Sequence, residues 1–382
     1  MGVQVASRET TAAPAPTRPP RWSKGERTAA GWALLGCVVL LALIFIAHNA
    51  RTGVGATRVA NPAVRGAPRP VTPLFGWTHW LVAEQIGTII AMVLIVVVFA
   101  ALWRRYPKHP ILLMAICCTT LVWQDPIMNW APYAVYNPQL WHWPETWPLV
   151  SLSPTVEPFV VIGYVMFYLA PFFPAIWILR RLQRSREVTS FVWKHPLVSL
   201  GLLIYVVGFI YDAAQEILLV RTGMYVYSQV IPFGSIFTGH AYQFPLIWES
   251  SLVTAVMIPV GVLLYRDDTG RTVAEKLALR IRLRALRERP ALATFVVMFL
   301  IVNAAYLFLY GGGFAVIRAS GAATSVACPF PYPEAKVYDP QGLYEKAGQP
   351  GPYSAGIWDG WETGQSGRPI VHPPAHRGRC SP

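Results

Sequence analysis

Seven stretches of the chain are long and apolar enough to cross a lipid bilayer, and that feature restricts the fold more than any other. A helical span needs about 17–25 mostly apolar residues, because the hydrocarbon core is about 30 Å thick and an α-helix rises about 1.5 Å per residue. The stretches are Gly31–Ala47, Trp80–Trp103, Pro110–Gln124, Val156–Leu179, Pro196–Val220, Phe244–Tyr265 and Ala291–Tyr310. The third is short and is expected to stop at Asp125-Pro126, since proline disfavours helix in the residue before it. The first follows Arg18, Arg21, Lys24 and Arg27 and could be a signal-peptide core. Its 17 residues and the lack of a small-x-small cleavage site after Ala47 favour an uncleaved anchor instead.

The expected fold is therefore all-α. A polytopic membrane helix bundle of about seven transmembrane helices occupies residues 29–311, between a disordered N-terminal tail, 1–28, and an irregular Pro/Gly-rich tail, 312–382. Residues 1–27 hold hardly any large apolar side chain, too few to offset the entropy of ordering. Only 13% of residues are charged, against roughly a quarter in a soluble domain. The net charge of +13 would suggest nucleic acid in a soluble protein. Its distribution assigns it to topology instead. The N-terminal tail and the segments 104–109, 180–195 and 266–290 hold 21 of the 32 Lys and Arg residues, and the alternate segments hold 11. This places the N-terminus in the cytoplasm and the C-terminus outside, in a multi-pass protein of the plasma membrane. Segment 266–290 reads as one basic helix lying on anionic lipid headgroups, with no nucleic-acid role.

Against this background six acids stand out: Glu84, Asp125, Glu157, Asp212, Glu216 and Glu249 lie within or at the ends of spans. A charge at the membrane centre costs roughly 2.5–3.5 kcal/mol, so six isolated charges facing lipid would cost on the order of 15–20 kcal/mol. That rivals the whole stability of a typical protein, about 5–15 kcal/mol. The acids must sit at the interface, carry protons, or share a polar cavity. Alternating the spans places all six in the outer half of the membrane. Glu84, Asp125 and Glu157 are near enough to span ends to be solvated or capping residues, whereas Asp212, Glu216 and Glu249 lie deeper and point to a cavity. Asp212 and Glu216 are four apart, hence on one helical face, with Tyr205 two turns below and Tyr211 beside them. Two such carboxyl groups in a poorly hydrated site cannot both ionise cheaply, which sets an acid beside a base. Asn303 in the last span either lines the same cavity or bonds a neighbouring helix.

Trp123-Gln124-Asp125-Pro126-Ile127-Met128-Asn129-Trp130 opens the loop after the third span, and Trp141, Trp143 and Trp147 follow without a lysine or arginine. Two readings stand: an interfacial aromatic belt, or an apolar lid over the acids with Tyr225, Tyr227, His240, Tyr242 and Gln243 completing its rim. No span holds Glu-x-x-His, His-x-x-x-His or Cys-x-x-Cys, and no phosphate-binding glycine loop occurs, so neither a metal nor a cofactor is expected. His372 and His376 stand in the Pro/Gly-rich tail, and Gly311-Gly312-Gly313 is too short for a phosphate loop. Cys37, Cys117 and Cys118 read as packing residues, while Cys328 and Cys380 share the exported tail and are a plausible disulfide.

With this span pattern, the Trp-Gln-Asp-Pro-x-x-Asn-Trp segment at 123–130, Tyr-Asp-x-x-Gln-Glu at 211–216 and Trp248-Glu249, the chain resembles the AveC-like spirocyclase family of actinobacterial membrane proteins. The resemblance runs from about Ala83 into the outer tail. It implies a cofactor-independent enzyme of polyketide tailoring that forms a spiroketal from a dihydroxy-ketone, in some members with a further dehydration. The residues suit such chemistry, which needs an acid for a departing hydroxyl, a base for the attacking one, and a pocket that excludes water. Asp212 and Glu216 are the expected acid–base pair, with Glu249 and Asp125 as orienting or substitute groups. Glu84, Glu157, Trp123, Gln124, Asn129, Trp130, Tyr205, Tyr211 and Asn303 are the expected binding residues. The expected partners are an apolar small-molecule substrate and the bilayer, with the oligomeric state open. A binder or proton-linked carrier of an apolar metabolite remains as a rival, as does a membrane terpene- or carotenoid-type cyclase.

Overall fold

A computed structural model of the chain describes residues 74–349, except 138–139, 144–146, 148, 333–334 and 336, together with 353–354. The expected first span Gly31–Ala47, the N-terminal tail, His372, His376, Cys37 and Cys380 lie outside the described residues. Six helical stretches among the described residues are long and apolar enough to cross a membrane: Trp80–Arg105, Pro110–Met128, Phe159–Ser185, Pro196–Thr222, Leu246–Leu264 and Pro290–Ser320. Each coincides with an expected span to within a few residues, except where two helices continue past their expected ends.

Helix α1 (Trp80–Arg105) is the least enclosed, with Val82, Ile86, Ile90, Val93, Val97 and Leu102 exposed around it. The exposed apolar side chains cover most of its circumference and suit lipid contact, while Glu84, Thr88, Met92, Ile95 and Phe99 form the face turned to the bundle. Helix α2 (Pro110–Thr120) starts with proline at its first position, where no N–H is needed, and with the His109 ring accepting from the Ile111 amide. It does not stop at Asp125-Pro126. The chain tightens into a 3₁₀ turn, Leu121–Gln124, and resumes as α3 (Asp125–Met128), with Pro126 in its first turn. Proline is tolerated at that position, and buried hydrogen bonds to the Asp125 carboxylate hold its residue in the helical conformation that a following proline opposes.

A 3₁₀ turn, Phe159–Gly163, leads into α4 (Tyr164–Leu169) and α5 (Phe172–Ser185). Helices α6 (Pro196–Thr222) and α7 (Leu246–Leu264) form the most extensive helix pair. They approach closely at Gly208, where a Cβ would sit 2.9 Å from Thr254 Cγ2 and 3.0 Å from Met257 Sδ. Small residues of this kind let helix backbones meet where lipid supplies no hydrophobic driving force.

The basic segment is two short helices, α8 (Val273–Ala278) and α9 (Arg284–Arg287), and not the single surface helix expected. A capping box at Thr272 and Glu275 starts α8, whose Ala274 and Ala278 are buried against the bundle. Continuing that helix would place Arg280 and Arg284 four apart on one face, and like charges at that spacing destabilise a helix. Helix α10 (Pro290–Ala305) passes through a π-helical turn, Tyr306–Gly311, into α11 (Gly312–Ser320). The glycine triplet therefore lies inside a helix. A Cβ on Gly311 would meet Met128 Sδ at 2.9 Å and one on Gly313 would meet Leu252 Cδ2 at 2.6 Å, so these two glycines serve close packing.

Short strands join the loops at one end. Strand β1 (Ala134–Tyr136) pairs antiparallel with β2 (Tyr225–Tyr227), with Ala134 opposite Tyr227 and Tyr136 opposite Tyr225. Alternation puts Tyr136, Tyr225 and Tyr227 on the face toward the bundle, while Val135 and Val226 pack outward on Phe330, Tyr332 and Tyr344. Strand β3 (Gln229–Val230) pairs with β4 (Ser325–Val326), which ties the segment after α11 onto this end. Cys117 and Cys118 are buried free thiols in α2, and Cys328 is disulfide-bonded.

Candidate active site

Antiparallel succession of the spans carries all six acids to the same end of the bundle, where four of them reach one cavity. It is a half-open space of about 390 Å³ bounded by α1, α3, α4, α6, α7 and the π turn, under the β1–β2 ribbon. Glu84, Asp125, Glu216 and Glu249 line it. Its remaining wall is mostly apolar, from Met92, Met128, Val160, Phe167 and Met224.

Each acid is held by donors from a different element. Glu216 Oε2 accepts from the Tyr227 hydroxyl at 2.7 Å and also from the Tyr225 hydroxyl. Glu249 Oε1 accepts from Tyr310 at 2.9 Å, and its Oε2 is buried without a partner among the described residues. Asp125 accepts from Asn129 at 3.0 Å and from the Tyr164 hydroxyl, which lies 3.1 Å from the Tyr306 hydroxyl. Asn129 also reaches Glu157 Oε2 at 3.4 Å, so one amide joins two carboxyl groups. Thr222 donates to Glu84 Oε1 at 2.8 Å. Burial, reinforced by the surrounding carboxyl groups, pushes the Tyr136, Tyr225 and Tyr227 hydroxyls well above the usual phenol range. They therefore remain protonated donors at any physiological pH.

The structure sorts the other expected residues away from the cavity wall. Asp212 is fully buried, but it lies one turn behind Glu216 toward α7, where Ser250 faces it without meeting hydrogen-bond geometry. Tyr205 is part-exposed on the outside of the bundle, its hydroxyl 2.9 Å from Ser251 Oγ. Tyr211 packs against Phe167. Trp123 and Gln124 both donate to the Asn303 carbonyl oxygen Oδ1, at 2.9 and 2.8 Å, so these three fasten the end of α2 to α10. Trp130 is buried and donates to the Leu152 carbonyl at 2.7 Å, fixing the loop that follows. Glu157 is buried behind Asn129.

The tryptophan-rich loop flanks the cavity. Trp141 and Trp147 are about half exposed, and Trp143 stacks on Trp147 and meets Phe159 edge-on. The covering element is the β1–β2 ribbon, so the rim includes Tyr225 and Tyr227. His240 and Tyr242 stack on each other beside Arg221, and Gln243 supports the rim by donating to the Tyr227 carbonyl.

Tyr136, Tyr164, Tyr168, Tyr306 and Tyr310 line the cavity and were missed by sequence reasoning. A signal existed for four of them. Tyr164/Tyr168 and Tyr306/Tyr310 are tyrosine pairs four residues apart within apolar spans, each a polar stripe on one helix face. The π turn keeps Tyr306 and Tyr310 stacked, with ring centroids 5.2 Å apart. Among the described residues no three His, Cys, Asp or Glu side chains are grouped to hold a metal ion.

A bundle of apolar helices enclosing a hydroxyl-bonded carboxyl cluster defines a polytopic membrane protein with a buried acidic site. The match to the family described as Spirocyclase AveC-like covers residues 103–338, more than half of the chain and nearly all of this site. The chain belongs to that family, and with it goes a cyclase-type role. Neither a curated protein nor a solved structure matches the chain.

Proposed function

We propose that the chain is an integral membrane cyclase that closes a spiroketal from an apolar, polyketide-like dihydroxy-ketone without a cofactor. One observation carries this reading: Asp125, Glu216 and Glu249, with the hydroxyls that donate to them, converge on a single half-open apolar cavity. In the reaction one substrate hydroxyl adds to the ketone to give a hemiketal. A carboxyl group then protonates the hemiketal hydroxyl, the C–O bond breaks, and water leaves an oxocarbenium ion. The second hydroxyl attacks that carbon and passes its proton to a carboxylate, so the protein regains the proton it lent and the net change is loss of one water.

Glu249, with an unpartnered oxygen, is the proposed acid. Glu216, fixed in orientation by two phenols, is the proposed base. This revises the Asp212–Glu216 pairing expected from spacing, because Asp212 has no place on the cavity wall. It becomes a positioning residue behind Glu216, and Asp125 orients the substrate through the Asn129 network. The apolar wall limits capture of the cation by water.

The test compares metabolites of a strain lacking the gene with strains carrying the wild type, Glu216→Gln or Glu249→Gln. Accumulation of an open-chain hydroxy-ketone, reversed only by the wild type, is expected. A compound of unchanged structure that merely shifts between cells and medium would replace the cyclase with the carrier.

A further inference from the structure

The other end of the bundle holds a second cavity, of about 450 Å³, with the opposite character. Three cations from three different segments line it: Lys108 from the turn after α1, Arg271 just ahead of α8, and Arg287 from α9. None of the three has a carboxylate within ion-pair distance among the described residues. The one acid on the wall, Glu275, is already engaged: its Oε2 accepts from the Thr272 amide at 2.6 Å and from the Thr272 hydroxyl at 2.8 Å. Three cations against one acid leave two positive charges in excess in a concave site. An anion is the natural complement.

The rest of the wall is apolar. Leu113 and Ala293 belong to the membrane helices, and Leu279 and Leu286 to the basic segment. Leu279 is 60% exposed, and Leu283 next to the cavity is 65% exposed. The pocket thus sits where apolar spans give way to a basic segment, the depth of a headgroup phosphate with its acyl chains alongside. The break between α8 and α9 contributes directly, because an unbroken helix would not turn both Arg271 and Arg287 toward one space.

We propose that this pocket binds a phosphate-bearing anion, supplied by the headgroup of an anionic membrane lipid. The phosphate sits among Lys108, Arg271 and Arg287, and the acyl chains follow Leu113, Leu279 and Leu286. A soluble phosphate compound shares the charge but has no use for the apolar wall.

The test uses the full chain in nanodiscs of phosphatidylcholine alone or with added phosphatidylglycerol, counting lipids retained on release by native mass spectrometry. The wild type is expected to retain phosphatidylglycerol selectively, and millimolar inorganic phosphate should not displace it. The triple variant Lys108→Gln, Arg271→Gln, Arg287→Gln should lose about a hundredfold in affinity, since each basic residue near an anionic surface contributes about fivefold. The charge-matched variant Arg181→Gln, Arg184→Gln, Arg186→Gln, altered at exposed arginines elsewhere, should keep it. Lack of selectivity in the wild type overturns the proposal whether or not the variants fold. Equal losses in the two variants would reduce it to diffuse surface charge, and displacement by inorganic phosphate would overturn the lipid source.

Discussion

The two ends of the bundle hold cavities of similar size, about 390 and 450 Å³, built on opposite principles. At the acidic end each of the four carboxyl groups on the cavity accepts at least one hydrogen bond from a hydroxyl on another helix or strand, so much of the charge problem is met inside the protein. At the basic end, among the described residues, three cations have no carboxylate within ion-pair distance, and the proposed complement is an external anion. An internally bonded cluster fixes the orientation of its acids, which suits proton transfer to a small bound molecule. An unpaired cluster at the membrane edge suits recognition of an anion.

The largest expected effect separates the two ends by activity. Glu216→Gln or Glu249→Gln should lower product formation in isolated membranes by about 10²- to 10⁴-fold, the usual contribution of a general acid or base. Asp212→Asn should lower it less. Equal losses for all three would place Asp212 back in the chemistry.

Stability should distinguish the ends next. Tyr225→Phe removes one of two hydroxyls bonded to the buried Glu216 and should cost about 1–3 kcal/mol in thermal unfolding of the reconstituted protein. Retention of full stability would mean that the network is less tightly satisfied than its geometry implies. At the basic end Thr272→Ala breaks the capping box of α8 and should cost about 0.5–2 kcal/mol while leaving product formation intact. A matching loss of product would couple the two cavities. The smallest effect belongs to Arg284→Ala, whose partner Glu288 is 2.9 Å away but whose own side chain is 74% exposed. The Glu288 side chain is only 5% exposed, so the pair is incompletely screened: it should contribute up to about 1 kcal/mol, measurable by the same unfolding assay and reduced but not abolished in high salt.

Much of this fold is legible in the sequence. Hydrophobic runs marked all six described spans, because lipid demands continuous apolar helix over a known length. At Asp125-Pro126 the helical path continues against the local preference, because Tyr164 from α4 and Asn129 one turn on both bond the Asp125 carboxylate. The division of the basic segment into two helices is not legible in the sequence, since composition alone does not reveal where α8 turns Ala274 and Ala278 inward.

The site divides in the same way. By itself the sequence determined that six acids lie at one end of the bundle, because span alternation fixes depth without knowledge of packing. Only the tertiary structure decided which of them share a cavity. Asp212 and Glu216 occupy one helical face, yet the close approach of α6 and α7 at Gly208 buries the first between helices and leaves the second on the cavity wall. Tyr225 and Tyr227 reach Glu216 through a strand register set by residues about ninety positions earlier in the chain, from Ala134 to Tyr136. Depth follows from chain order, whereas facing depends on contacts between segments far apart in sequence, and those form only when the whole bundle packs.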